Sequence, residues 1–221
     1  MNLALFDLDH TLIPFDSGMA WTRFLVREGA LDASAEARYL EFCHQYVAGR
    51  LDIHAMVRAS LQPLAAFEPA RLRHWRERFN SEIEATLPAP MRALVAHHRD
   101  RGDLCAVVTA TERLVAGPFA HAFGVDHLVC TEGRWHDGRP TGEIDGLPCF
   151  REHKLTRVNA WLSSMGATPP RVDAFARSFF YSDSINDLPL LEAVTDPVAV
   201  RPDPRLRAHA QAAGWPIIDD A

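Results

Sequence analysis

Leu3-Ala4-Leu5-Phe6-Asp7-Leu8-Asp9-His10-Thr11 decides the reading of this chain: an unbroken apolar run, then two carboxylates two positions apart. Such a run suits a strand covered on both faces, as in a parallel α/β sheet. Ligands of open α/β sheets gather at the carboxyl ends of strands, so Asp7 and Asp9 stand where a reaction centre is expected. An Asp-rich turn or a helix cap would use the same residues at the same place, and on this stretch alone the two readings weigh evenly.

A second apolar run, Ser178-Phe179-Phe180-Tyr181, also ends in carboxylates: Asp183 and, four positions on, Asp187, with Asn186 beside it. Hard divalent cations take oxygen ligands, and Mg2+ accepts few carboxylates while keeping waters and substrate phosphate. Asp7 and Asp183 are the expected direct ligands, Asp187 reaches the metal through water, and Asn186 orients a neighbouring group at the phosphate. A turn capping a helix at Leu188 would explain Asp187 alone, but not the same cluster at two strand ends. Thr109 closes the run Leu104-Cys105-Ala106-Val107-Val108, where its hydroxyl can meet a phosphate oxygen or simply cap the next helix. Lys154 is the one lysine among 23 Lys and Arg residues. A compact ammonium suits a place between a carboxylate and a phosphate better than the planar Arg fork, although a single lysine also survives anywhere by chance.

The remaining sequence frames these motifs. The expected strands are residues 2–6, 104–108, 127–130, 178–181, 197–200 and 215–218; helices are expected over 91–101, 113–123, 152–165 and 188–193. This alternation predicts an α/β fold, a Rossmann-like, mostly parallel sheet of five or six strands flanked by helices. Residues 133–146 break the pattern, with Asp137-Gly138 and Asp145-Gly146 supplying turn chemistry for a hairpin beside the sheet. Residues 15–87 read as successive helices jointed at Gly29, Gly49-Arg50 and Pro63. That is an inserted α-helical cap, with the core formed by 1–14 and 88–221 and with Pro14, Pro88 and Pro90 suiting a pair of hinge strands.

The 221 residues are 48% hydrophobic and 24% charged, an ordinary globular balance. The net charge of -6 argues against a nucleic-acid partner, whose backbone requires clustered cations; Arg71, Arg73, Arg76 and Arg78 alternate with glutamates as a solvated helix face. The first residues lack a basic leader and soon reach Asp7, so neither secretion nor a membrane anchor is expected, and a cytoplasmic place follows. Cys43, Cys105, Cys130 and Cys149 form no C-x-x-C pair and are read as buried free thiols with no zinc site. The histidines, His97-His98 included, show no ligand spacing and are read mostly as surface or capping residues.

Taken in order, Asp7-Leu8-Asp9-His10-Thr11, the Val107-Val108-Thr109 strand end, Lys154 and Tyr181-Ser182-Asp183-Ser184-Ile185-Asn186-Asp187 resemble the four signature motifs of the haloacid dehalogenase superfamily. With a helical insert after the first motif, the chain looks like the branch that includes phosphoserine phosphatase. The resemblance covers nearly the whole chain. It implies a Mg2+-dependent phosphatase in which Asp7 is the nucleophile that becomes a phospho-aspartate and Asp9 is general acid, then general base. It further implies Mg2+ on the side chains of Asp7 and Asp183, the backbone carbonyl of Asp9 and, through water, Asp187, with Thr109 and Lys154 on the phosphoryl oxygens. An acid at position 9 separates phosphate chemistry from the dehalogenases of the superfamily. The resemblance places Asp16 where those enzymes carry a Glu that meets the substrate amine, although Asp16 reads equally as the N-cap of the helix near Met19. No arginine matches the family's substrate-binding one; Arg50 and Arg58 are candidates. The implied partner is a small phosphorylated metabolite, an amine-bearing one such as phosphoserine or histidinol phosphate, with the cap as lid. Two other readings stay open: a phosphotransferase or mutase using the same intermediate, and a non-catalytic binding member of the fold.

Overall fold

The computed structural model describes residues 1–219. Its centre is a sheet of six parallel strands. In chain order the elements are β1 (Leu3–Phe6), α1 (Ser17–Arg27), α2 (Ser34–Val47), α3 (Ile53–Leu61), α4 (Pro69–Ile83), α5 (Ala89–Asp100), β2 (Leu104–Glu112), α6 (Arg113–Ala122), β3 (His127–Thr131), β4 (Gly133–His136), β5 (Arg139–Ile144), α7 (Glu152–Ser164), β6 (Ser178–Ser182), α8 (Leu188–Leu191), β7 (Asp196–Val200), α9 (Pro204–Ala213) and β8 (Ile217–Ile218). The strand order is β3-β2-β1-β6-β7-β8, so β1 lies inside the sheet, pairing Phe6 with Val107 on one side and Tyr181 on the other.

Successive side chains of a strand face opposite sides, and the core divides accordingly. Ala4, Phe6 and Val107 join an apolar cluster with α1, α4 and α6. Leu3, Leu5, Ala106 and Val108 pack on the other face with Val158 and Leu162 of α7 and Leu206 of α9. Both faces are buried, which is why the strands read as continuous apolar runs.

Between β1 and α5 the chain is helical, and the joints fall at the residues expected. Gly29 and Gly49 both take φ +68 just past α1 and α2, the left-handed geometry that glycine supplies after a helix, and Pro63 opens a 3-10 turn over Gln62–Ala66. The hinge strands do not form among the described residues. Pro88 instead precedes α5, and Pro90 lies in its first turn, where a missing N–H costs nothing. Trp21 and Phe24 of α1 and Trp75 and Phe79 of α4 share their cluster with Phe6, Val115 and Phe119, so these two helices are continuous with the core. The hairpin β4–β5 leans on the helical segment rather than on the sheet: Ile144 packs with Ile53, Val57 and Leu61.

The structure differs locally from the sequence expectation. Strand β2 runs past Thr109 to Glu112 through a register shift against β3, so Thr109 sits at an irregularity and not at the strand end. Helix α8 stops at Leu191, and β8 is two residues long. Helix α9, absent from the sequence expectation, starts at the Asp203-Pro204 cap and ends at Gly214 with φ +69. His98 is buried, because Nδ1 meets Asp103 at 2.8 Å and Nε2 the Tyr181 hydroxyl at 2.8 Å. All four cysteines are free; Cys105, Cys130 and Cys149 are buried, while Cys43 is only partly so. No helix of the described residues is long and apolar enough to cross a membrane.

Candidate active site

The carboxyl ends of β1, β2 and β6 open into one cavity of about 360 Å3. Asp7 continues β1, its N–H bonded to the Tyr181 carbonyl at 2.9 Å, so the pairing of β1 with β6 sets the nucleophile candidate beside the second acidic loop. Lys154, in the first turn of α7, is 2% exposed and donates from Nζ to Asp7 Oδ1 at 2.8 Å and to Asp187 Oδ2 at 2.7 Å. Ser182 Oγ donates to the same Asp187 oxygen at 2.7 Å. The Thr11 hydroxyl links the two loops: it lies 3.1 Å from Asp7 Oδ2 and 3.3 Å from Asp183 Oδ1, and it accepts the Asp183 N–H at 3.0 Å.

The charges do not balance. Asp7, Asp183 and Asp187 stand around one ammonium, so with all three ionised the cluster carries an excess of two negative charges. Burial opposes the charge on Lys154, yet Asp187 and Asp7 hold its pKa well above the ordinary lysine value. Burial pushes Asp7 up to about 7 against the pull of Lys154, and burial, with Asp7 and Asp187 adding repulsion, lifts Asp183 well above the carboxylate range. Asp187 Oδ1 is buried without a hydrogen-bond partner, a costly condition unless something binds there. No group of three or more His, Cys, Asp or Glu among the described residues is disposed to hold a metal ion by side chains alone. Two carboxylates completed by a backbone carbonyl and waters are, however, the kind of oxygen set Mg2+ takes, and the charge excess and the orphaned Asp187 oxygen both fit a divalent cation.

Asp9 is held differently. Its Oδ1 accepts the Ser17 N–H at 2.6 Å and its Oδ2 the Thr111 hydroxyl at 2.8 Å. Burial, with Asp16 adding repulsion, pushes it up to about 6. Thr109 is buried, lines the cavity and accepts the Thr111 N–H at 3.2 Å. Asn186 also lines the cavity, but its amide donates to the Tyr46 carbonyl of α2 at 3.3 Å. Asp16 both caps and faces the cavity: Oδ1 accepts the Met19 N–H at 2.7 Å, while Oδ2 lies 3.8 Å from Cys43 Sγ. Arg50 and Arg58 are exposed and do not line the cavity.

Sequence reasoning missed Thr111, Ser17 and the bridging role of Thr11. Thr111 alone left a signal, since it shares a strand face with Thr109 by the period of two.

Residues 4–192 match the haloacid dehalogenase-like hydrolase family, and the chain belongs to it. It is a phosphatase of that family, and its relatives include proteins named histidinol-phosphatase and phosphoserine phosphatase. The histidinol-phosphatase of Neisseria meningitidis serogroup C is 40% identical over 221 residues, covering 99% of this chain and 98% of that protein. A crystal structure of a Bordetella pertussis protein of unknown function superposes with a TM-score of 0.89 at 48% identity, over 99% of this chain and 98% of that one. Substrate-bound phosphoserine phosphatase shares the fold at 17% identity, with a TM-score of 0.67 over 98% of this chain and 92% of that one.

Proposed function

We propose that the chain is a Mg2+-dependent phosphatase that hydrolyses a small amine-bearing phosphomonoester through a phospho-aspartate on Asp7. The observation that carries this reading is the Lys154 ammonium held between Asp7 and Asp187 with Asp183 alongside: a buried nucleophile, a phosphate-binding cation and an uncompensated acidic pair in one place. Asp7 and Asp183, with the Asp9 carbonyl and water-mediated Asp187, would hold Mg2+, which when bound neutralises charge on the transferred phosphoryl group.

The chain's own residues supply the rest. The Asp7 carboxylate attacks phosphorus and the bond from phosphorus to the ester oxygen breaks. Asp9, lifted towards its protonated form by burial, passes its proton to the departing alkoxide oxygen. As a carboxylate it then takes a proton from a water whose oxygen attacks phosphorus, which breaks the bond to Asp7 and releases phosphate. Thr111 and the Ser17 N–H aim Asp9, while Lys154 and Thr109 bind phosphoryl oxygens.

The cavity walls speak to the leaving group. Beyond Asp9 they are aromatic and acidic, with Tyr39, Phe42, Tyr46 and Asp16. Lys154 serves two carboxylates and the phosphoryl end of the substrate, and Arg205, which is exposed, is the only arginine lining the cavity among the described residues. A substrate carboxylate therefore meets no buried cation, whereas an ammonium or imidazolium meets Asp16 and aromatic faces. This favours an amino-alcohol phosphate such as histidinol phosphate over phosphoserine, in keeping with the Neisseria relative. Residues 15–87 serve as the cap over a core of 1–14 and 88–221, and four unpaired cysteines suit a reducing, cytoplasmic compartment. Phosphate release from histidinol phosphate and phosphoserine, with and without Mg2+, for the wild type and Asp7→Asn, tests the reading. Metal-dependent turnover preferring histidinol phosphate and lost in Asp7→Asn is expected; full activity in Asp7→Asn overturns the mechanism.

A further inference from the structure

We infer that Arg201 and Asp203, in the loop leaving β7, are positioning residues that hold the Asp7–Thr11 loop and the Asp183–Asp187 loop at a fixed spacing. The inference goes beyond the reading above, which gives neither residue a role, and it rests on hydrogen bonds made within this chain.

Arg201 grips the first loop. Its Nη2 donates to the Thr11 carbonyl at 2.6 Å and to the His10 carbonyl at 3.0 Å, and its Nε reaches the His10 carbonyl at 3.3 Å. Its own N–H donates to the Ile218 carbonyl at 2.7 Å, anchoring it on β8. His10 has φ +57 and Arg201 φ +42. A non-glycine residue persists in that left-handed region only where its surroundings over-determine it, and here the guanidinium holds the His10 and Thr11 carbonyls in place. Nη2 serves the two adjacent carbonyls while Nε adds a second contact to His10, a planar array of donors that a lysine ammonium does not reproduce. The carbonyls are those of Thr11 itself and of the residue before it, and the Thr11 hydroxyl is the group that touches both Asp7 and Asp183.

Asp203 grips the second loop. Its N–H donates to the Asp183 carbonyl at 2.8 Å, and its Oδ2 accepts the Ile185 N–H at 2.7 Å. Its Oδ1 accepts the N–H groups of Arg205 and Leu206 at 2.8 and 2.9 Å, fixing it to the start of α9. One short loop, tied to β8 and α9, thus reaches both acidic loops. Their separation depends on it as well as on the β1–β6 pairing.

Hydrogen exchange of the full chain without Mg2+ tests this directly, because it requires neither metal nor turnover. Arg201→Ala is expected to speed exchange about tenfold over residues 8–13 and to a smaller degree over 183–187; Asp203→Ala is expected to do so about tenfold over 183–187. Peptides from β1, β6 and α5 keep their wild-type rates, and Arg201→Lys recovers only part of the protection. By titration calorimetry Mg2+ binding weakens about tenfold in both alanine variants, while kcat on a phosphomonoester falls more than KM rises. Unchanged exchange in both loops, or acceleration spread evenly over the whole chain, overturns the positioning role. A wild type that binds no Mg2+ while the exchange pattern holds would instead count against the phosphatase mechanism and leave the positioning role standing.

Discussion

Lys154 donates to Asp187 Oδ2 at 2.7 Å, while Oδ1 of the same buried carboxylate has no partner. The ammonium thus meets one oxygen of each acid; Thr11 meets the other oxygen of Asp7, whereas no described residue meets Oδ1 of Asp187. Lys154→Met would leave both acids buried without compensation. Breaking a buried pair from one side costs about 3–5 kcal/mol, so the variant is expected to lose roughly that much stability and all turnover. Lys154→Arg keeps the charge, but a planar fork does not fit the point between two carboxylates, and kcat is expected to fall at least about 100-fold. Denaturant titration and phosphate release check both; a Lys154→Met protein as stable as wild type would contradict the account.

Much of this arrangement was legible in the chain. The runs ending at Phe6 and Tyr181 are apolar because both sheet faces are covered, and the carboxylates following them land on one side because parallel strands share their carboxyl ends. Gly29, Gly49 and Pro63 marked the helix joints because backbone geometry alone requires such residues there. Helix α9 was missed although Asp203-Pro204 and Gly214 flank it, since it buries only Leu206 and Ala210, too few positions to show a helical period. The grip of Arg201 on His10 spans 191 positions, and the Thr111 bond to Asp9 spans 102. Contacts of that range leave no spacing to read. Asn186, read at the phosphate, lines the cavity, and its amide donates to the Tyr46 carbonyl because the helical segment covers that edge of the site.

Glu112 makes stability depend on pH. It is buried at the end of β2, its charged neighbours Asp16 and Asp9 are both acidic, and burial pushes it from 4.5 up to about 7. Its pKa is higher folded than unfolded, so the folded state binds more protons and stability falls as pH rises from about 4.5 to about 7, flattening above. The shift from 4.5 to about 7 corresponds to roughly 3 kcal/mol at pH 8. Without Mg2+, the wild type is expected to melt progressively lower across that window, and Glu112→Gln to narrow the drop. Parallel melting curves for the two proteins from pH 5 to 8 would show that Glu112 does not carry the effect.

Gly18 is the place where a favourable helix substitution should harm. It sits in the first turn of α1 with an ordinary helical backbone, where alanine is otherwise a better helix former than glycine. A Cβ there would run into the hydroxyl of Tyr39, which is buried beside Asp16, Glu112 and Asp9. Gly18→Ala is therefore expected to cost about 1–3 kcal/mol through overpacking and to raise KM for an amine-bearing substrate more than for an uncharged one. Tyr39→Phe in the same chain removes the nearest atom and should restore part of the stability. A Gly18→Ala protein that melts higher than wild type would show that Tyr39 moves aside freely.

The end of α2 is tied to the core by two side chains, and these ties are expected to latch the α2–α3 part of the helical segment. Arg151, three residues before Lys154, donates to the Gly49 carbonyl at 2.6 Å, and Asn186, next to Asp187, donates to the Tyr46 carbonyl at 3.3 Å. The Tyr46 carbonyl also accepts the Gly49 N–H at 3.0 Å, so the two side chains add to the turn that ends α2, and both come from segments beside the candidate site residues Lys154 and Asp187. Helices α1 and α4 are welded to the core by aromatic packing, whereas α2 buries only Ala35 and Tyr39. Opening should therefore occur at α2 and α3, with these two bonds as the latch. Arg151→Ala is expected to raise KM about tenfold and to speed hydrogen exchange over residues 44–50, with a smaller change in kcat and only a few degrees in melting temperature. The double variant with Asn186→Ala should extend the faster exchange into α3 while α1 and α4 keep their protection. Equal acceleration in all four helices would mean that the cap opens as one body, and the division drawn at α2 would be wrong.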